Sequence, residues 1–504
     1  MNYFHIKILT PLHVGSGRTL RSDTEFLKFE NVVSVIDDHK ILDIIGEENI
    51  QQWVDIINNG NDLLDYLKKR SPSGVVEPTQ THKRLLPIVG NYLKPKNGLR
   101  EQIFSGNGQP LLPGSSLKGA VRTAVINGLI EKQPSIANGV LRTKKEGEKR
   151  GAKTVKYGKF EHQLTGKDPN HDSFRLVRIG DAHFDQTVCL LTQTLNQTGN
   201  EFGIKEDVNQ LVECIPEGAE ALSGVSIPAD LLKEINKRPQ VAYEMKANNE
   251  INSWPKIIRH VNRFTKKQLE SELRKYNTVS LPNEADAFPE TMKVLLEQIS
   301  NLGENECIIR VGFGTGYLNM TGGWPIEQWK KTLTPDKYLT EMNDLGIAVR
   351  KNSKYNSFDL PKSRKIISGG VPMGFVKLTL WSAEQAEAWK SKAAERKAIA
   401  EAEQAKEAEA ARLKAEQEAE TARVAAEEAK KPVMFEGVIS KNLEVDAEVI
   451  VSARPNRVKI FVKGFDQKQF EMNDSAQQPL GYVCRVALVV EKGKILRVRH
   501  LRPK

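Results

Sequence analysis

Three glycine-bearing segments of the sequence contain residues that suit anion binding. The first, residues 10–18, reads TPLHVGSGR and follows an alternating stretch that is typical of a strand. Its glycines let the backbone approach a ligand and present N–H groups to it, and an arginine adds a planar phosphate donor. We therefore predict an anion site there, formed by Gly15, Ser16, Gly17 and Arg18. The alternative is a common Gly-Ser-Gly tight turn without a ligand.

The second segment, residues 112–124, reads LPGSSLKGAVRTA and joins a Pro-Gly turn to a helical pattern. Unpaired N–H groups and the positive end of the helix dipole attract anions to a helix start. Two basic residues four apart lie on one helix face. A nucleotide P-loop requires GxxxxGK followed by Ser or Thr, which this segment lacks, so a chain phosphate fits better than ATP. The predicted contacts are Ser115 and Ser116, either of which is an N-cap candidate, with Lys118 and Arg122.

The third segment, residues 310–317, reads RVGFGTGY and is expected to follow a strand. Alternating glycines remove side-chain bulk and leave φ unrestricted, which suits a loop that lies against a nucleic-acid backbone or another subunit. The dinucleotide-binding fingerprint does not fit, because its third glycine is missing. The predicted binding residues are Arg310, Gly312, Gly314 and Gly316.

The overall charge favours a polyanionic partner. The chain has 504 residues, a formal net charge of +10 and a pI near 9.1, although many basic proteins bind no nucleic acid. Four scattered cysteines form no CxxC pair, so neither a disulfide framework nor a zinc site is predicted. No stretch approaches the roughly 20 apolar residues of a membrane span. We expect a soluble, cytoplasmic protein without a metal or other cofactor.

Three units are expected from the length and from shifts in composition. Residues 1–382 mix helical and strand patterns, which predicts an α+β body. Residues 383–431 are rich in Ala, Glu, Lys and Arg and predict one helix about 70 Å long, read as a solvated spacer or as a partner-binding helix. Residues 432–504 carry short β-rich runs, which suggest a small basic five-stranded barrel of the OB or SH3-like kind.

Within the body, the patterns predict individual elements. Strands are expected at residues 3–10, 26–36, 174–184, 308–313 and 375–381, a helical region at 41–67, and a helix at 115–131. Residues 142–178 contain 11 basic and 5 acidic residues. They predict a long basic insertion, which either lies along a phosphate backbone or is only a solvated loop.

Taken in this order, the three glycine-bearing segments resemble the RAMP superfamily of CRISPR proteins, and within it the fifth-subunit family of type III-A (Csm) effector complexes. PGSSLKGAVR is the most specific run, and the resemblance covers about residues 1–382. It implies two ferredoxin-like, RRM-related units with insertions. It also implies an RNA-binding structural subunit that caps the complex at the 3′ end of the crRNA and supports crRNA maturation. The implied partners are crRNA, neighbouring RAMP backbone subunits and a host nuclease.

Catalysis is left open by the sequence, although a non-catalytic role is favoured. Some RAMP relatives cleave RNA without a metal, and His13 stands in the first glycine loop, where it could act as a general acid or base. A histidine that only shapes the turn explains the residue equally well. In the C-terminal segment, basic residues alternate with aromatic ones, as in single-strand binders, although a barrel core would use the same aromatics. These residues are Arg457, Lys459, Phe461, Lys463, Phe465, Arg497, Arg499 and Arg502.

Overall fold

The computed structural model describes most of the chain, and it divides that chain into two compact units, Met1–Lys390 and Ser391–Lys504. The described residues are 2–92, 98–133, 163–166, 168, 170–198, 201–240, 249–321, 323, 334, 361–367 and 369–430, together with six later strands. Most of the predicted basic insertion at 142–178 lies outside these residues, as do Lys463 and Phe465.

The first unit is a mixture of α-helices and β-strands, as the sequence predicts. Its strands are β1 (Asn2–Ile8), β2 (Gly15–Leu20), β3 (Phe26–Lys28), β4 (Val32–Ile36), β5 (His82–Val89), β6 (Leu99–Gln102), β7 (Leu111–Leu112), β8 (Arg178–Ile179), β9 (Ala182–His183), β10 (Val188–Thr198), β11 (Glu201–Cys214), β12 (Glu220–Ser226), β13 (Glu306–Arg310), β14 (Ser363–Ile367) and β15 (Phe375–Trp381). Its α-helices are α1 (Asp38–Ile45), α2 (Ile50–Asn59), α3 (Leu63–Arg70), α4 (Gly114–Lys132), α5 (Ala229–Asn236), α6 (Trp254–Tyr276), α7 (Ala287–Ser300) and α8 (Gly316–Thr321).

The first sheet has the order β13-β15-β1-β12-β8, and all its neighbours are antiparallel. Successive residues of a strand point to opposite faces of the sheet. The apolar positions Phe4, Ile6 and Ile8 of β1 are accordingly buried together against α4 and α6. The intervening residue His5 packs on the other face, where its ring lies 4.1 Å from that of Trp381.

The second sheet has eight strands in the order β2-β6-β11-β10-β5-β4-β3, with β14 paired to β10. Its two parallel pairs are β5 with β10 and β6 with β11. It therefore does not repeat the order of the first sheet. The hairpin of β10 and β11 forms its centre, and a bulge shifts the register between Thr192 and Thr194.

Several predicted elements are confirmed and others need correction. The helix predicted at 115–131 is α4, and its apolar stripe is buried. The strand predicted at 26–36 is instead the hairpin of β3 and β4. The strand predicted at 174–184 is a 3-10 helix, Ser173–Leu176, followed by the short β8 and β9.

The long helix predicted at 383–431 is confirmed as α9 (Ala383–Lys430). Beyond it, the second unit contains β16 (Val433–Met434), β17 (Ala447–Ile450), β18 (Arg457–Val462), β19 (Gln469–Asn473), β20 (Val483–Glu491) and β21 (Lys494–Pro503). They form one sheet in the order β16-β20-β17-β18-β19, with β21 paired to β20. All of these pairs are antiparallel, and the sheet has six strands instead of the expected five.

Candidate RNA-binding surface

The first glycine segment forms the exposed edge strand β2. Gly15, Ser16, Gly17 and Arg18 are all exposed, and Gly17 has a φ of +90°, which favours glycine. The Arg18 guanidinium lies 2.9 Å from a carboxylate oxygen of Glu25. The predicted phosphate donor is therefore already paired with an acidic residue, and a phosphate would have to compete with that carboxylate.

His13 precedes this strand and is only 2% exposed. Its Nδ1 lies 2.7 Å from the carbonyl oxygen of Glu213, so Nδ1 carries a proton and donates it to that oxygen. Burial lowers the pKa of His13; the hydrogen bond opposes this effect and the charge of Arg100 adds to it. The ring is thus neutral near pH 7 and closed off from solvent, which suits a structural role and not a general acid or base.

The third segment lies directly against the first. The Phe313 N–H donates a 2.8 Å hydrogen bond to the His13 carbonyl, and the two rings meet edge to face at 5.5 Å. Gly312 has a φ of +85°, and a Cβ there would lie 2.5 Å from the same carbonyl oxygen. Only glycine permits this close approach. The structure therefore joins two segments that are about 300 residues apart in the sequence.

Arg310 does not lie where a direct RNA contact requires it. Its side chain is buried, with Nε donating to the Met373 carbonyl at 2.8 Å and Nη2 to the Gly314 carbonyl at 3.1 Å. Burial lowers its pKa to about 10. The predicted contact is corrected accordingly: Arg310 holds the glycine loop from beneath. Gly316 is exposed at the end of that loop, with open space around its Cα.

The second segment begins differently from the prediction. The N-cap of α4 is Pro113, not Ser115 or Ser116, and the Gly114 N–H donates to an Asp181 carboxylate oxygen at 2.7 Å. Ser115 is exposed and Ser116 is half-buried. An acidic side chain therefore already occupies one N–H group of this helix start.

The two basic residues of α4 differ in their surroundings. Arg122 donates to Asp172 at 2.8 Å and lies over the Phe174 ring, so it ties α4 to the neighbouring 3-10 helix. Lys118 is half-buried, and burial lowers its pKa, an effect that Asp172 opposes and Arg122 reinforces. Of the two, Lys118 is the better placed to meet a phosphate.

A contact between α4 and α8 brings the second segment to the third. The Thr123 hydroxyl of α4, which donates to the Gly119 carbonyl of its own helix at 3.1 Å, also lies 3.5 Å from the Met320 carbonyl of α8, and α8 starts at Gly316. The first segment thus contacts the loop at 312–316 of the third, and the second contacts the helix that follows that loop. We call this region the glycine-loop surface.

Two further basic residues belong to this surface and were missed by the sequence reasoning. The Arg100 guanidinium carbon lies 5.0 Å from the centroid of the Phe313 ring. Lys365 lies beside Gly314, where a Cβ would come within 3.1 Å of the lysine Cβ. Neither residue stands in a glycine motif, and only strand pairing across the second sheet brings them to the loop.

Other site chemistry is not supported by the described residues. Within them, no group of three or more His, Cys, Asp or Glu side chains is arranged to hold a metal ion. No helix in the described part of the chain is long and apolar enough to cross a membrane.

Comparison with known families supports this arrangement of motifs. The RAMP superfamily matches residues 5–319, which include all three glycine-bearing segments. The chain belongs to the RAMP superfamily. This RAMP protein is 25% identical over 413 residues to the CRISPR system Cms protein Csm5 of Methanocaldococcus jannaschii, a match covering 74% of this chain and 88% of that protein.

Two solved structures are also similar to this RAMP protein. A chain of a Csm-crRNA-target RNA ternary complex from a type III-A CRISPR-Cas system has a TM-score of 0.55 at 17% identity, covering 75% of this chain and 100% of that one. Csm5 of T.onnurineus has a TM-score of 0.48 at 16% identity, and the match covers 74% of this chain and 99% of that one. At 17% identity, the first similarity concerns the fold.

Proposed function

We propose that this RAMP protein is an RNA-binding structural subunit of a type III-A (Csm) ribonucleoprotein. The observation that carries the proposal is the convergence of all three glycine-bearing segments on the glycine-loop surface. The similarity to Csm5 over most of both chains supports the same conclusion. Exposed glycines and nearby cations suit backbone phosphates, and phosphate contacts carry no base information, so recognition would be largely independent of sequence.

Within that assembly, the protein would cap the complex at the 3′ end of the crRNA and support crRNA maturation. Its partners would be crRNA, neighbouring RAMP backbone subunits and a host nuclease that trims the RNA. A subunit that caps the complex lies at the end of the row of backbone subunits. Complexes assembled without this chain should therefore carry crRNAs with a changed distribution of 3′ ends, which sequencing of the bound RNA would measure.

The topology of the first sheet supports a ferredoxin-like, RRM-related unit. In chain order, β1, α4, β8, β12, α6 and β15 form a βαββαβ series, and their strands lie in the antiparallel order β15-β1-β12-β8. With β13 added at the edge, this is the first predicted unit. The eight-stranded sheet, with its two parallel pairs, does not support a second unit of the same topology.

The second unit would act as a small barrel that binds RNA or docks a protein. Its six antiparallel strands and the basic character of residues 432–504 support a binding role. In this proposal α9 is the spacer that precedes the strands of residues 433–503 along the chain.

The first test is Lys118→Glu in the full-length protein. Reversing a charge beside a bound phosphate should weaken the affinity for a labelled single-stranded RNA about tenfold at about 50 mM salt and less at about 200 mM. Anisotropy titrations would measure both values. Lys68→Glu, which makes the same charge change at an exposed position on α3, is the matched control. If the folded wild type binds RNA and the Lys118 variant binds it with the same affinity, this placement of the RNA is contradicted.

The enzyme alternative makes a separate prediction for His13. If this residue were a general acid or base, His13→Ala would stop processing and change the 3′ ends of the crRNA. Because the ring is buried, neutral and bonded to the Glu213 carbonyl, we expect unchanged 3′ ends and a lowered stability. Sequencing of crRNA from complexes that contain the variant separates the two readings, provided that thermal unfolding shows a folded protein.

A further inference from the structure

Several basic residues at the glycine-loop surface have no carboxylate partner among the described residues, and Arg100 and Lys365 are the half-buried pair that contacts the loop at 312–316. Arg100 and Lys365 form no ion pair with any described residue. Three other arginines of the first unit, Arg18, Arg84 and Arg122, are each paired with an acidic side chain. Unpaired, half-buried cations are costly, because burial removes water without adding an opposite charge. The contrast indicates that the ligand of this pair is a separate anion.

The strand geometry explains why no neighbouring acid neutralises Arg100. Glu101 follows it on β6, and successive side chains of a strand point to opposite faces. Glu101 accordingly binds Arg84 at 3.0 Å and Ser16 at 2.9 Å, away from the loop. Arg100 Nε is buried and has no hydrogen-bond partner within the described part of the chain. A buried donor that lacks an acceptor carries a free-energy penalty, which a bound oxygen would relieve.

The loop at 312–316 contacts both cations. The Phe313 ring supports the Arg100 guanidinium, and the next residue, Gly314, packs against the side chain of Lys365. The Lys365 ammonium donates one hydrogen bond, to the Val208 carbonyl at 3.2 Å, which leaves two of its three N–H donors. The Arg100 charge adds to burial in lowering the pKa of Lys365, so the two cations are near enough to repel each other.

We propose that Arg100 and Lys365 together bind one phosphate group of the RNA backbone at the glycine loop. This proposal rests on the RNA-binding function proposed above and identifies the residues that neutralise the RNA there. Arg100 of β6 offers a planar fork held in place by the Phe313 ring, and Lys365 offers a point charge from β14 of the same sheet. A phosphate between them neutralises both and fills the open donor positions.

The test compares Arg100→Gln/Lys365→Gln with the wild-type full chain in RNA titrations over a range of salt concentrations. For single strands, the slope of log K against log salt is about 0.7 per phosphate contact. The variant should bind about tenfold more weakly, with a slope smaller by about 0.7. Lys233→Gln/Lys237→Gln removes the same charge from α5 and its C-cap, where the lysines are paired with Asp230 and Glu234, and should preserve the slope.

The possible outcomes separate this proposal from the function on which it rests. Wild-type protein that binds no RNA contradicts the proposed function. Wild-type binding with an unchanged affinity and slope in the variant overturns the phosphate site alone. If the double variant does not fold, Lys365→Gln alone, at its exposed ammonium, gives the same test.

A free phosphate ion shares the chemistry of the RNA backbone, so a second arm distinguishes them. Inorganic phosphate at matched ionic strength is added to wild type and variant, and the thermal midpoint is measured. Stabilisation of the wild type alone, together with equal RNA affinities, would show that the site takes free phosphate and would overturn the RNA assignment. Weaker RNA binding by the variant supports it.

Discussion

At the scale of single residues, the charges beneath the glycine loop determine its shape. Arg364 binds both carboxylate oxygens of Glu272, at 2.8 and 2.9 Å, and both residues line a small pocket together with Arg310. Burial would raise the pKa of Glu272, but the charge and hydrogen bonds of Arg364 outweigh it, and the pKa is lowered. The pair is therefore a structural support, and its loss should be measurable as a loss of stability.

Arg364→Met tests this support. Removing one partner of a buried ion pair leaves an uncompensated charge and costs about 3–5 kcal/mol. In the wild type, the lowered pKa contributes stability above the ordinary carboxyl pKa of about 4.3, and this contribution is lost as pH falls. In the variant, burial should raise the Glu272 pKa, so the deficit should shrink between pH 7.5 and about 5.

Urea unfolding at both pH values measures that deficit. The control is Arg364→Met/Glu272→Leu, which removes both charges and should recover much of the lost stability. A deficit that is the same at both pH values would show that Glu272 is not the source of the effect.

At the scale of elements, the contact between α4 and α6 depends on one glycine. A Cβ at Gly128 of α4 would lie 2.1 Å from Nδ1 of His260, which is 7% exposed on α6. Gly128→Ala should therefore lower the free energy of unfolding by about 1–3 kcal/mol through overpacking.

Gly119 of the same helix provides the matched control. It is exposed, and nothing lies within 4 Å of a Cβ at this position. Gly119→Ala should raise stability by about 0.5–1 kcal/mol, because alanine loses less backbone entropy than glycine in a helix. Equal effects of the two substitutions in thermal unfolding would contradict the close packing of α4 on α6.

The elements whose own residues show a strong local pattern were predicted correctly. The stripe of α4 and the charged composition of α9 are strong local signals, and both helices were found. The β10–β11 hairpin was missed, although its strands have 11 and 14 residues. The Gly199-Asn200 dipeptide between the two runs is a local hairpin signal that was overlooked, whereas the pairing of these strands with the distant β5 and β6 has no local signal.

At the scale of the whole molecule, the first turns of α9 belong to the first unit. Ala386 is fully buried, and the Trp389 ring lies 5.8 Å from that of His5. A chain ending at residue 390 should therefore keep the thermal midpoint of the first unit, whereas one ending at 381 should unfold several degrees lower. Equal midpoints would contradict this packing.

The chain that ends at residue 390 also measures how much the second unit contributes to RNA binding. If residues 391–504 contribute contacts, the chain ending at residue 390 should bind single-stranded RNA more weakly and with a smaller salt slope than the full chain. Equal affinities would favour a protein-docking role for the second unit.

The sequence by itself determined the α+β class, the long helix, the family and the three glycine-bearing segments, because these depend on local periodicity and on short motifs. Only the tertiary structure decided what each candidate residue does. It buried Arg310 and His13, paired Arg18 and Arg122 with carboxylates, and brought Arg100 and Lys365 to the loop. A side chain's charge follows from its residue type, whereas its partners depend on strands and helices from distant parts of the chain that pack together.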